Sequence, residues 1–441
     1  MKKFINHVFQ RPIFVVFCLI LVIILPSALF REPDSTRRLI VTALAVDLVE
    51  DEIEISALSF IPVSSTTYQE NYKVFSAKGS SVSEAISKIG LYVGKTVALT
   101  HTAVVIVNQE LASNGIVKYI DHLARSNDIS NKTALLCTEK SAKNLLQKLN
   151  ELDSSSDLSV RDLVAFNTNN IYSKTSNIGS FYRGYFSPSE VSMIGYLKLA
   201  EEEGIEPNDN SGSGTQGGSG SQGGGGAQGG GGSQGGSGTQ GGDSSQGGGA
   251  SQNGQGQPNS KILNDGSACV FKKGEFITIL SPEQVYQYNW INSSQYKNMF
   301  QLFNVTDEVF KNANLTYRIQ EKKEKSQVTM KNGRPVYDNF LFLSMELEEV
   351  EQDNLKNNEL LLYKNYFSET VKLLAQNKIR SDFAKILNLA RELKIDIFGI
   401  YDMFDSQHEK EFKEFLKTIE DSDNYLSYVD INLYIEFLIV S

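Results

Sequence analysis

Residues 12–30 carry no charged side chain, and within them residues 13–25 form an unbroken apolar run. As a helix rising about 1.5 Å per residue, such a stretch is about 28 Å long, close to the roughly 30 Å hydrocarbon core of a bilayer. The pattern predicts one transmembrane crossing. Lys2, Lys3 and Arg11 could instead head a cleaved signal peptide, but Pro26-Ser27-Ala28-Leu29-Phe30 offers no small-x-small cleavage site. The expectation is an uncleaved anchor with a short cytoplasmic N-terminus and everything after residue 31 outside.

Beyond the anchor, strand and helix periods alternate. Residues 39–46 and 53–60 flank the acidic turn Glu50-Asp51-Glu52 and predict a hairpin, with a third strand over 72–77. Ser81-Val82-Ser83-Glu84 is a capping box, followed by Val82, Ala85, Ile86, Ile89 and Val93 at helical spacing. The β-branched run 102–107 predicts a strand covered on both faces. A stripe of Ile116, Tyr119, Ile120 and Leu123 predicts a helix, residues 134–137 a strand, and Ala142, Leu145, Leu146 and Leu149 a further helix. The βαβαβα order implies a mixed sheet with at least one parallel pair.

Residues 193–199 and 261–271 read as strands on either side of a Gly-rich tract. Within residues 209–258 the unit [Ser/Thr/Ala]-Gln-Gly-Gly starts at Thr215, Ser221, Ala227, Ser233, Thr239 and Ser245, a period of six residues. A hexapeptide β-helix needs an apolar residue in each turn, and none is present. The tract is expected to be disordered, an insertion in a loop. Residues 268–271 and 276–280, joined by Lys272-Lys273-Gly274, predict a second hairpin, and Ser281-Pro282-Glu283-Gln284 a marked helix start. Residues 315–323, 327–331 and 340–350 read as meandering strands, and 360–374 and 383–393 as two amphipathic helices. The last strand alternates Val429, Ile431, Leu433, Ile435, Phe437 and Ile439 with mostly polar residues and is expected to become fully buried near its end.

The fold class expected is mixed, α+β with α/β: a multi-lobed extracytoplasmic body of mixed β-sheets and helices behind one transmembrane helix. Its divisions are residues 1–37 (anchor), 38–200 (N-terminal α/β region), 201–260 (disordered insertion) and 261–441 (C-terminal α+β domain). A formal charge of −10 supplies no basic footprint, so nucleic acid is not an expected partner. Cys18 lies in the apolar run, and Cys137 and Cys269 sit in β-like stretches where a buried free thiol is the commoner state, although one bridge between them stays open.

Candidate chemistry is sparse. His7, His101, His122 and His408 have no metal-ligand spacing, and no nucleophile elbow, phosphate loop or dinucleotide fingerprint lies between a strand and a helix. Asp121 and His122 are sequential on a helix and so face different directions. No catalytic, cofactor-binding or metal residue is assigned. One rival is an envelope hydrolase using His101 or His122 with a nearby carboxylate; another is a generic envelope-binding protein.

Several segments, in order, resemble the C subunit of the spore germinant receptor, the Ger(x)C family. They are residues 38–47 ending in Asp47; Gly79 through Glu84-Ala85-Ile86 to His101; 111–116 and Leu123-Ala124-Arg125-Ser126; 266–274; and Asp396-Ile397-Phe398-Gly399-Ile400. The resemblance implies a non-enzymatic subunit that assembles with A and B membrane subunits in the spore inner membrane to support nutrient-triggered germination. It assigns germinant contact to no residue. It singles out the regions of His101, Arg125 and the turn from Asp396 to Gly399 as structurally sensitive. Family members are usually lipoproteins, whereas Val15-Val16-Phe17 before Cys18 is no lipidation signal. The membrane contact expected here is therefore through residues 12–30. The Gly-rich tract is likewise not a family feature.

Overall fold

The computed structural model describes residues 37–61, 71–126, 128–154, 174, 176–201, 260–263, 266–292, 299–352 and 365–438. The expected anchor and the Gly-rich tract lie outside the described residues, and no described helix is long and apolar enough to cross a membrane. The described residues through Leu199 and from Ile262 onward form one compact unit.

The predicted first hairpin is β1 (Arg38–Val49) and β2 (Glu52–Ile61), followed by β3 (Asn71–Gly79). Glu50 and Asp51 both take positive φ, the two-residue turn that matches strand twist. Helix α1 (Val82–Val93) starts at Ser81, whose Oγ accepts from the Glu84 N–H at 3.2 Å. The return bond is displaced by one residue, because the Glu84 carboxylate accepts from the Ser80 N–H at 2.8 Å. A short β4 (Thr96–Ala98) lies parallel to the start of β1. Then come β5 (Val104–Asn108), α2 (Gln109–Ser113), α3 (Val117–Arg125), β6 (Ala134–Thr138), α4 (Ala142–Ser154), α5 (Ile178–Tyr185) and β7 (Val191–Glu201).

Strands β1, β5, β6 and β7 are mutually parallel neighbours. They are covered on both faces. Val105, Val107, Leu135 and Cys137 pack under α1, α3 and α5, while Val104, Ile106 and Leu136 pack against Ala142, Leu145, Leu146 and Leu149 of α4. That double cover is why β5 reads as a continuous apolar run.

The strand read over 261–271 is in fact two, β8 (Ser260–Leu263) and β9 (Ala268–Lys272), separated around Gly266 at φ 89°. Both pair with β7, so the sheet takes strands from each side of the Gly-rich tract. The hairpin partner β10 (Glu275–Leu280) completes ten strands in the order β10-β9-β7-β6-β5-β1-β2-β3, with β4 beside β1 and β8 beside β7. Helix α6 (Pro282–Asn292) has the full capping box: Ser281 N–H to Gln284 Oε1 at 2.9 Å and Gln284 N–H to Ser281 Oγ at 3.3 Å.

A second, four-stranded sheet follows, β11 (Met299–Val305), β12 (Ala313–Lys331), β13 (Arg334–Glu351) and β14 (Asp430–Leu438), in that order. The two strands read over 315–331 are one strand of 19 residues, because charged residues 321–325 pair along β13 instead of turning. The two helices read over 360–374 and 383–393 are one, α7 (Glu369–Glu392), beginning at the N-cap Ser368. No Gly or Pro interrupts residues 375–382, and Val371, Ala375, Ile379 and Phe383 continue the buried stripe. Helix α8 (Ile400–Leu416) leads to β14, which pairs parallel to β13 and forms an edge. It does not become fully buried: Leu438 is 39 % exposed and Tyr434 48 %, since an edge strand has a neighbour on one side only.

Candidate functional site

The turn after α7 gathers more polar contacts than any motif the sequence singles out. Asp396 is buried. Its Oδ1 accepts from the Phe398 N–H at 3.1 Å and its Oδ2 from the Tyr401 N–H at 2.7 Å and from the Tyr425 hydroxyl. Burial pushes its carboxyl above the ordinary range, against the pull of those donors, and pushes the Tyr425 phenol well up. Gly399 closes the turn at φ 69° and caps α8; a side chain there would be strained. One residue into α8 past Tyr401, Asp402 reaches across to the loop before β7, accepting from the Ser189 N–H at 2.7 Å and the Ser189 hydroxyl at 3.0 Å.

The bonds of Asp402 to Ser189 tie α8 to the loop before β7. Lys272, at the end of β9, donates to the Lys394 carbonyl at 2.9 Å, Lys273 pairs with Glu190 at 3.3 Å, and Lys394 pairs with Asp421 at 2.7 Å. The same residues surround a cavity of about 380 Å³ lined by Ser189, Lys272, Lys394, Asp396, Tyr401 and Tyr425. Beneath it one apolar cluster runs from Met193 and Val270 to Phe398, Phe404 and Phe412. The arrangement positions and locks; every oxygen of Asp396 that could act on a ligand already accepts a hydrogen bond from its own chain.

A second cleft, of about 540 Å³, lies between the start of α1 and one side of α3, lined by Ser80, Ser83, Lys118, Asp121, His122 and Arg125. Here Asp121 pairs with Arg125, whose side chain is 79 % exposed, rather than serving His122. Tyr182 stands nearby on α5, its phenol pushed up by burial and by the Asp121 charge. His101 sits apart, on an exposed turn before β5. The three regions named from the resemblance do not converge: the Asp396 turn is buried, Arg125 is on the surface, and His101 is on another element. Among the described residues no group of three His, Cys, Asp or Glu side chains is placed to hold a metal.

Asp47, the end of the opening strand motif, also has a structural task. It leaves β1 under the start of α4 and accepts from the N–H groups of Ala142 at 2.7 Å and Lys143 at 2.8 Å. Burial raises its carboxyl pKa. Cys137 and Cys269 are buried free thiols on β6 and β9, on either side of β7, and burial raises the Cys269 thiol.

Sequence reading missed Lys322. A bulge between Ile319 and Glu321 switches the phase of β12: Leu315, Tyr317 and Ile319 point inward before it, and Lys322 and Val328 after it. Its ammonium donates to the Asn289 carbonyl at 2.6 Å near the end of α6, and burial lowers its pKa to about 8. Only a sudden break in the apolar alternation at residue 321 hinted at this.

Two family models match the chain. One described as the spore germination protein N-terminal domain covers residues 33–199, and one described as spore germination B3/GerAC-like, C-terminal, covers residues 266–441. No curated protein matches by sequence. The crystal structure of the GerBC protein is similar with a TM-score of 0.45 and 14 % identity, over 90 % of this chain and 97 % of that one. With the two matches together covering well over half of its length, the chain belongs to the Ger(x)C family of spore germination proteins.

Proposed function

We propose that this protein is a non-enzymatic subunit of a germinant receptor, held at the spore inner membrane by residues 12–30, its body outside, and assembled with A- and B-type membrane subunits to support nutrient-triggered germination. The observation that carries this reading is the match of both family domains, in order, on the two sides of the Gly-rich tract. The apolar run of residues 13–25 supports the tether. The polar groups of the Asp396 turn support a role in contact rather than in turnover, since they are taken up by bonds to Tyr401 and Tyr425 of the same chain, and the neighbouring Asp402 bonds across to Ser189 before β7. Exposed loops and edges would then meet the partners.

Spores lacking the gene, complemented with either the natural chain or the variants His101→Ala and His122→Ala, test this. The expected result is loss of the nutrient response on deletion and full restoration by all three chains. A chain that supports germination only with an intact histidine, while still copurifying with its partners, would contradict the non-enzymatic reading.

A further inference from the structure

The end of the large sheet where β1 begins carries two exposed apolar side chains with no place in the core. Helix α1 buries Val82, Ala85 and Ile89 against the sheet, yet its last turn presents Leu91 at 78 % exposure and Tyr92 at 69 %. Gly94, in the left-handed conformation, turns the chain, and the Lys95 N–H bonds to the Gly90 carbonyl at 3.1 Å. Two residues later Thr96 pairs with Arg38, the first residue of β1. Tyr92 is thus four residues from the strand that lies beside Arg38, a contour of at most about 14 Å.

Arg38 is also where the body receives the chain from the apolar run. Seven residues, 31–37, separate the two in sequence, a reach of at most about 25 Å. A tether in residues 12–30 therefore keeps this end of the sheet within about 25 Å of the bilayer. The charge of this end fits such a neighbour. In a protein of net charge −10, residues 37–46 and 85–109 include no acid, Arg37 and Arg38 are exposed and Lys95 is half-exposed, and the only acids between the apolar run and Arg38 are Glu32 and Asp34, matched in number by Arg31 and Arg37. Paired apolar side chains beside basic ones are what a lipid interface takes up, with the apolar groups sinking about 5–10 Å into the headgroup and upper acyl region.

We infer that the tip of α1, Leu91 and Tyr92, docks into the lipid interface beside the tether, so that the body is held at a second point and stands in a fixed orientation on the membrane. The inference rests on the membrane-tethered reading above. A single crossing alone gives one point of contact and sets no orientation. Two contacts on one end of the sheet would aim the opposite end, with the turn of Glu50 and Asp51 and the start of α4, away from the lipid.

The test uses the full chain reconstituted into vesicles of equal parts phosphatidylcholine and phosphatidylglycerol. The natural chain has one tryptophan, Trp290, which is fully buried and serves as a constant background. A Tyr92→Trp variant adds one reporter at the tip, and flotation in alkaline carbonate reports the tether independently. The expected result is that the chain floats with the vesicles and that the added emission is blue-shifted, loses about half of its intensity to nitroxide on the upper acyl chain, and resists aqueous iodide. A chain that floats while the added emission is quenched by iodide and not by lipid nitroxide would overturn the inference and leave the tether standing. A chain that does not float would overturn both. A Leu91→Asp, Tyr92→Asp chain serves as the second variant, expected to float like the natural chain but to expose a helix-end label to iodide; unchanged protection of that label would also overturn the inference.

Discussion

In the N-terminal half the buried polar groups of the described residues are mostly hydroxyls. Thr133 donates to the Thr102 carbonyl at 2.9 Å, for instance, and Asp47 is the one buried carboxylate among the described residues of that half. The C-terminal half instead buries Lys322, Asp338, Asn339, Asp382 and Asp396. The difference follows from the cover of the two sheets. A parallel sheet packed on both faces excludes charge along whole strands. The antiparallel β12–β13 pair is long, bulged and covered chiefly by α6, α7 and α8, so a phase switch can carry a charged residue inward where a helix end is ready to receive it. Stability in the first half should therefore depend mainly on apolar packing, with Asp47 the chief source of pH dependence among its described residues. In the second half it should depend on a few polar contacts and vary with pH.

Replacing Asp396 by Ala is the harshest test of that contrast. It leaves the Tyr401 N–H and the Tyr425 hydroxyl buried without their acceptor, and is expected to cost about 3–4 kcal/mol in urea unfolding. Asp396→Asn keeps one acceptor oxygen and should cost clearly less. Equal losses for the two variants would mean that the turn is held by packing instead.

Lys322 sharpens the pH side. Below about pH 8 both the folded and the unfolded chain carry its charge. Between about 8 and the ordinary 10.5 the folded chain has released the proton and the unfolded chain still binds it, so this group's contribution to stability rises with pH across that window. The rise is about 3 kcal/mol at most. Denaturation midpoints of the natural chain and of Lys322→Met across this range should differ in slope, with the variant lacking the upward trend; parallel curves would refute the buried-ammonium account.

Asp47 gives the counterpart in the first half. With its folded pKa raised, the folded chain holds a proton that the unfolded chain has lost just above the ordinary carboxylate value. Its contribution therefore falls as pH rises through that window and stays at the lower level above it. Asp47→Asn, which keeps one of the two contacts to the start of α4, is expected to cost about 1 kcal/mol at neutral pH. A loss of several kcal/mol would show the strand-to-helix contact to be as critical as the Asp396 turn. The smallest effect belongs to Arg125→Ala. Its pair with Asp121 is on the surface, so urea unfolding should shift by less than about 1 kcal/mol.

The first half was legible in the sequence because its periods are uniform. The hairpin around Glu50 and Asp51, the start of α1 at Ser81 and the doubly covered β5 all follow from local pattern and capping chemistry. The second half was legible in its turns but not in its lengths. Strand β12 looked like two strands because charges at 321–325 mimic a loop, and α7 looked like two helices because the polar run Lys378, Arg380, Ser381 and Asp382, the last of them buried, interrupts the apolar pattern. The Asp396 turn was legible as a resemblance only; its bond network joins residues 29 positions apart and, through Asp402 and Ser189, 213 apart, which no local pattern encodes. The cleft beside His122 likewise depends on how α1 and α3 approach each other.

The proposal of a tethered receptor subunit is tested most directly by purifying the full chain, through an affinity tag after Ser441, from detergent-solubilised inner membranes of spores and identifying what accompanies it. The expected result is recovery from the membrane fraction together with a multispanning protein and a second, large-domain subunit. Recovery of the chain alone, or from the soluble fraction, would contradict it.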